Sequence, residues 1–286
     1  MIKEQKLLLG AHMSIAEGFE KAIEYGESIG CTAIQIFTKN NRRWNAKKIT
    51  KEDSQKFKIA LKNSSIKFIV AHASYLINIG SPKKETQKKS VDALVKELNR
   101  CEKLGIPYLV IHPGSCLKTN EQECLDIITQ NLDIALEKAH GKTMILLETM
   151  AGQGSSTCYT FEHIAYIIKK SKKKKRLGVC FDTCHVFAAG YDLRDKKSYV
   201  DTWKKFEKTI GIRKLKVIHI NDSKKELGSR VDRHEHIGKG KLGSQAFKLL
   251  LTDKRFSNIP KILETPKETL EEDAHNMAFI KKLIKT

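Results

Sequence analysis

Eight short apolar runs recur along the chain, each followed by a segment of helical periodicity. They are LLLGAH (7–12), TAIQIF (32–37), IKFIVAH (66–72), PYLVIH (107–112), TMILLE (143–148), LGVCFD (177–182), LKVIHI (215–220) and PKILE (260–264). The runs are almost continuously apolar, as expected of strands covered on both faces in a parallel sheet. Between them, Val91, Leu94, Val95 and Leu98 fall on one stripe of 85–104, and Gly105 stops that helix. Leu125, Ile128, Leu132, Ala135 and Ala139 do the same in 121–139, where Asn120 and Glu123 predict a capping-box start. No linker, low-complexity block or repeat divides the chain, so 1–286 reads as one domain. Eight β/α units in 286 residues suit an α/β fold of one kind, a single (β/α)₈ TIM barrel. A doubly wound open sheet would need fewer strands or a Gly-rich nucleotide turn after the first strand, and GxGxxG is absent.

The ends of these runs carry the chemistry. The third ends at His72, the fourth at His112 and the fifth at Glu148. The sixth ends at Asp182 with His185 three residues on, the seventh has His219 near its end, and the eighth ends at Glu264. In a barrel, these positions open onto one face, where active sites sit. A single His or carboxylate at such a place reads as an ordinary polar residue or a helix cap. Several carboxylates converging in one mouth are costly unless a cation balances them, and His with Asp and Glu suits Zn²⁺, Mn²⁺ or Fe²⁺. The loop 219–243 adds Asp232 and His234, whose i, i+2 spacing points both side chains one way if the backbone is extended. They could share an ion with His185, and His236 continues the alternation as a rival. Nine donors exceed the needs of one ion, so two or three metals are expected at the C-terminal face of the strands. Paired metals about 3.5–4 Å apart are a standard device for phosphodiester hydrolysis.

The balance of 53 Lys and Arg against 33 Asp and Glu leaves a net charge of +20, which favours encounter with polyanions such as nucleic acid. The run KKSKKKKR (169–176) precedes the sixth strand and is expected at the opposite rim, in solvent. The seven cysteines form no CxxC, and Cys180 and Cys184, spaced CxxxC, read as packing thiols. No apolar run approaches the ~20 residues that span a bilayer, and the N-terminus lacks the pattern of a signal peptide. An intracellular protein with reduced thiols and no membrane partner is expected.

Six segments make the reading specific: GAHMS (10–14), FTKNNRRW (37–44), HPGS (112–115), LETMAGQGS (147–155), DTCHVFAAGYD (182–192) and NDSKKELGSRVDRHEHIGKGKLG (221–243). Together they resemble the endonuclease IV family of apurinic/apyrimidinic endonucleases from about Gly10 to Glu268. The resemblance implies a (β/α)₈ barrel with three zinc ions, Mn²⁺ or Fe²⁺ being possible substitutes. It implies that His72 and His112 hold one ion, with Glu148 bridging to a second that Asp182, His219 and Glu264 complete. His185, Asp232 and His234 would hold the third. The implied reaction cuts double-stranded DNA 5′ to an abasic site, leaving a 3′-hydroxyl and a 5′-deoxyribose phosphate, and trims blocked 3′ ends. Glu148 would orient the attacking water, and no side chain need be the nucleophile. Arg42, Tyr75 and Leu76 match the residues that enter the duplex, where wedges unstack bases and a baseless sugar flips out most cheaply. Lys39, Arg194, Lys224, Arg230, Arg233 and Lys239 lie on loops of the same face and could meet phosphates. The chain departs from the family at Thr149-Met150, where members often have Asn-Thr, and at Arg43, often Gln. A monomer is expected. One competing function is a divalent-metal sugar isomerase or epimerase on the same barrel, against which the Asp232/His234 pair speaks. The other is a metal-stabilised DNA-binding protein without catalysis, against which the intact donor set speaks.

Overall fold

In the computed structural model, which describes residues 7–285, the eight apolar runs form eight strands. These are β1 (Leu9–Met13), β2 (Ala33–Phe37), β3 (Phe68–His72), β4 (Tyr108–Ile111), β5 (Met144–Glu148), β6 (Leu177–Asp182), β7 (Leu215–His219) and β8 (Lys261–Leu263). All pair in parallel in the order β1-β8-β7-β6-β5-β4-β3-β2, and β1 also pairs with β2, so the sheet closes. The outer layer is α1 (Phe19–Ser28), α2 (Lys51–Asn63), α3 (Lys84–Leu104), α4 (Glu121–Lys138), α5 (Phe161–Lys170), α7 (Lys196–Thr209), α8 (Gly243–Thr252) and α9 (Leu270–Leu283), while the short, wholly buried α6 (Thr183–Ala188) follows β6 and carries His185. The expected TIM barrel is the fold found, with strand boundaries displaced by one or two residues.

Alternation along the strands separates two cores. Ala33, Val70, Val110, Leu146, Cys180, Val217 and Ile262 fill the lumen as one buried cluster. Their neighbours, among them Ile34, Ile69, Leu109, Ile145, Phe181, Ile218 and Leu263, pack outward beneath the helices. Because side chains repeat every second residue along a strand, the next inward position after each lumen residue lies one layer higher, at the mouth. Those positions are Gln35, His72, His112, Glu148, Asp182, His219 and Glu264. On β1 a lumen side chain is excluded: a Cβ on Gly10 would lie 1.6 Å from the Ala33 carbonyl oxygen.

The helix ends follow from local chemistry. Gly105 caps α3 in the left-handed conformation with φ 75°. Asn120 caps α4 by accepting from the amides of Gln122 and Glu123, a one-way cap rather than the reciprocal box its sequence suggests. Full capping boxes form at α2 (Thr50 with Asp53) and α9 (Thr269 with Glu272). The KKSKKKKR run leads from the end of α5 into the start of β6, at the rim opposite the mouth. There Lys170 pairs with Asp126, and Arg176 donates to the carbonyls of Thr143 and Leu136. No helix among the described residues is long and apolar enough to cross a membrane.

Candidate metal centre

The upper layer brings nine side chains into three adjacent groups, two of which share a residue. His72, His112 and Glu148 form the first; Glu148, Asp182, His219 and Glu264 the second; His185, Asp232 and His234 the third. Within each, the potential donor atoms lie within 4.8 Å of one another. Glu148 is the hub, fully buried at the end of β5. Its Oε2 lies 3.2 Å from His72 Nε2 and 3.4 Å from His112 Nε2. Its Oε1 lies 3.1 Å from His219 Nδ1, which also stands 3.1 Å from Glu264 Oε2. In the third group His185 Nε2 is 3.1 Å from Asp232 Oδ2, and His234 Nε2 is 3.3 Å from Asp232 Oδ1. The hub is dry, whereas the His112 and Asp232 side chains are 30% and 35% exposed, so the cluster opens toward solvent on one side.

Hydrogen bonds fix which ring nitrogen of His72, His185 and His234 carries the hydrogen. His72 Nδ1 donates to the Ala73 carbonyl (2.7 Å), His185 Nδ1 to the Thr149 carbonyl (2.9 Å) and His234 Nδ1 to the Glu264 carbonyl (2.9 Å). In its neutral form each ring therefore turns a bare Nε2 inward. His185 Nε2 and His234 Nε2 then face each other at 3.5 Å, two lone pairs beside a carboxylate. Such an arrangement is repulsive unless a cation, or extra protons, lies between the donors. The same field acts on the titrating groups. Burial would raise the Glu148 and Glu264 carboxyls, but His219 and the other imidazoles hold both well below the usual range. Burial would lower His185, yet Asp182 and Asp232 hold it well above its ordinary value. The donor set fits divalent ions of the zinc type.

The long loop carrying Asp232 and His234 is held from below. The Asp222 carboxylate accepts from the amides of Ser223, Gly238, Gly240 and Leu242. Gly240 has no room for a side chain, since its Cβ would come 2.4 Å from Asp222 Oδ1. A two-residue ribbon pairs Asp222–Ser223 with His234–Glu235, and the Lys224 amide donates to the Arg233 carbonyl, which fixes the backbone between Asp232 and His234. His236 turns away, with Nδ1 3.0 Å from Asn276 Nδ2 and Nε2 3.9 Å from Glu272. Cys184 lies near Asp182 and His234. Burial first, and then Asp182, pushes its thiol up to about 12, and it donates to the Arg233 carbonyl. It packs as a thiol, and all seven cysteines are free and buried.

Four side chains around the centre escaped the sequence-based site assignment. Gln35, fully buried on β2, spans His219, Glu264 and His12. Asn221 donates to Asp182 Oδ2 (2.7 Å) and accepts from the Glu264 amide (2.8 Å), tying the ends of β6 and β8 together. Thr149 accepts the Asp182 amide on its hydroxyl, so the departure at that position lies against the site. His12 packs at a tilt against Phe37 with ring centroids 4.3 Å apart, and its buried Nε2 has no partner. The signal that could have found Gln35 is its place two residues beyond the lumen residue Ala33.

Of the loop residues, Tyr75 is 53% exposed while its ring centroid stands 5.2 Å from those of both His72 and His112. Arg42 is exposed on the loop after β2, and Leu76 is half-buried. Arg194, Lys224, Arg230, Arg233 and Lys239 are exposed on the mouth side. Lys39 is not available to a phosphate. It is buried, pairs with Glu97 at 3.6 Å and donates to the Arg43 carbonyl at 2.6 Å, so it braces the loop.

A family model described as a xylose isomerase-like TIM barrel matches residues 23–283. A probable endonuclease 4 of Chloroflexus aurantiacus is 46% identical over 277 residues, covering 96% of this chain and 97% of its own length. An apurinic-apyrimidinic endonuclease of Caenorhabditis elegans is 45% identical over 269 residues, covering 93% of this chain and 68% of that protein. The crystal structure of endonuclease IV from Thermus thermophilus superposes with a TM-score of 0.87 at 33% identity, covering 97% of this chain and 98% of that one.

Proposed function

The chain belongs to the endonuclease IV family, on a xylose isomerase-like TIM barrel, and from that premise we propose that it repairs DNA by hydrolysing the phosphodiester bond 5′ to abasic sites. The products are a 3′-hydroxyl and a 5′-deoxyribose phosphate, and the same site removes blocking groups from 3′ ends. The protein acts as a one-domain monomer with three Zn²⁺, which Mn²⁺ or Fe²⁺ can replace. The observation that carries this reading is the convergence of five imidazoles and four carboxylates in three groups, two of which share Glu148.

His72, His112 and Glu148 would hold the first ion; Glu148, Asp182, His219 and Glu264 the second; His185, Asp232 and His234 the third. Ions so held supply positive charge that makes water nucleophilic near neutral pH and takes up charge on the departing oxygen. Glu148, dry and in reach of both inner groups, orients the attacking water. Thr149 and Asn221 hold Asp182 and His185 in register. Tyr75, seated over His72 and His112 yet half in solvent, enters the duplex beside the lesion with Leu76, and Arg42 reaches in from the neighbouring loop. Their insertion unstacks the bases and turns the baseless sugar toward the centre.

Incubation of the purified protein with a duplex bearing one tetrahydrofuran abasic site tests the reading. Nicking immediately 5′ to the lesion, with a 3′-hydroxyl product, is expected. Binding without nicking would make it a metal-stabilised DNA-binding protein, and indifference to the duplex would return it to sugar chemistry on the same barrel.

A further inference from the structure

Gln35 touches three of the groups at the mouth through one amide. Its Nε2 donates to Glu264 Oε1 (2.5 Å) and to His12 Nδ1 (3.0 Å), and its Oε1 accepts from His219 Nε2 (2.8 Å). The orientation follows from chemistry. An ionised carboxylate only accepts, so the amide NH₂ must face Glu264. The amide oxygen is thereby turned to His219, whose Nε2 must then carry the hydrogen. His219 Nδ1 is left bare, 3.1 Å from Glu148 Oε1, 3.1 Å from Glu264 Oε2 and 3.8 Å from Asp182 Oδ2. Glu264, with Oε1 occupied, offers Oε2 to the same point. His219 differs here from His72, His185 and His234, which are oriented by backbone carbonyls and turn Nε2 inward. No substitution can remove those carbonyls, whereas the partner of His219 is a side chain.

We infer that Gln35 is a positioning residue of the second cation group, its amide holding His219 with Nδ1 bare and Glu264 with Oε2 free so that both donors meet one ion. The inference rests on the metal reading of the site. The geometry favours it over simple core packing because a fully buried amide is here satisfied at both ends by polar partners of the site. It also spans β1, β2, β7 and the end of β8, so the two ligands keep their relative position when loops move. The same amide gives His12 the same tautomer as His219, with Nδ1 accepting and the hydrogen on Nε2.

Gln35→Met, nearly equal in length and unable to donate or accept here, tests this in the full-length protein. Zinc content and affinity are measured by competition with a chromogenic chelator. The unaltered protein is expected to hold three equivalents; Q35M is expected to keep two at unchanged affinity and to bind one about 10–100-fold more weakly. Three equivalents at unchanged affinity in Q35M, or equal weakening of all three, would overturn the role of Gln35. Failure of the unaltered protein to hold zinc would instead defeat the metal reading beneath it. A second measurement needs no variant. In ¹⁵N spectra of the zinc-loaded protein, His219 is expected to be protonated at Nε2 and metal-bound at Nδ1, and His12 to be protonated at Nε2. Metal at Nε2 of His219 would overturn the inference even if Q35M did not fold.

Discussion

Glu148 is the residue on which the most charge converges, with imidazoles of His72, His112, His185 and His219 within 3.4 Å of its two oxygens. Glu148→Gln keeps the shape and removes the charge, so the barrel is expected to fold while nicking of an abasic duplex falls by several orders of magnitude. Near-normal turnover would deny it the bridging role. Lys261, at the start of β8, is the residue whose charge is worst placed. It is 1% exposed and donates to the Phe256 carbonyl, and burial pushes its pKa down to about 8 from 10.5. Below pH 8 the ammonium is charged in both folded and unfolded chains, and burying it costs up to roughly 3 kcal/mol. Between pH 8 and 10.5 the folded protein sheds a proton that the unfolded chain keeps, so this group adds stability as pH rises. Urea midpoints of the unaltered protein should therefore climb toward those of Lys261→Met over that interval. A stability difference that stayed constant with pH would contradict the assignment.

At the scale of elements, the loops after β2, β3 and β7 have distinct duties. The loop after β2 is braced by Lys39 against Glu97 of α3, a pair buried at both ends, and this rigidity presents Arg42 outward. The loop after β3 seats Tyr75 on the first histidines, and the loop after β7 is suspended from the Asp222 carboxylate. The basic run before β6 lies at the far rim, partly spent on Asp126 and Glu137. Replacing Lys172, Lys174 and Lys175 by Gln is expected to weaken binding to an abasic duplex less than Arg42→Ala does. Titrations across salt concentration check this, since each lost phosphate contact lowers the slope by about one. A larger loss from the rim substitutions would reverse the assignment of faces.

For the whole molecule, the centre joins the ends of six strands, the short helix α6 that carries His185 and the loop that carries Asp232 and His234, so cation binding and global stability are coupled. An ion that binds the folded chain alone adds about 4 kcal/mol when present at ~1,000 times its dissociation constant. Stripping with a strong chelator should lower the calorimetric midpoint by several degrees, and zinc should restore it. A midpoint indifferent to both would mean that the cluster is balanced by protons. The net charge of +20 acts at this scale too, speeding encounter with DNA without choosing the site on it.

What the sequence determined by itself was everything local or periodic. Eight apolar runs separated by helical stripes admit little but a closed parallel barrel, and a polar residue at the end of a covered strand can only lie at the mouth. His72, Glu148, Asp182 and His219 were legible on that ground, because period-two alternation is a property of the strand itself. Gln35 obeys the same rule but was passed over, since an amide within an apolar run shows its worth only when its partners, 184 and 229 residues further along the chain, are in place. Lys39 could be told from a phosphate-binding lysine only once Glu97 was seen beneath it, and His236 from a ligand only once Asn276 and Glu272 had claimed its ring. Distances between segments far apart in sequence are set by closure of the barrel. Tertiary structure alone therefore decided which nitrogen of His72, His185, His219 and His234 is bare and which carboxylate two of the groups share.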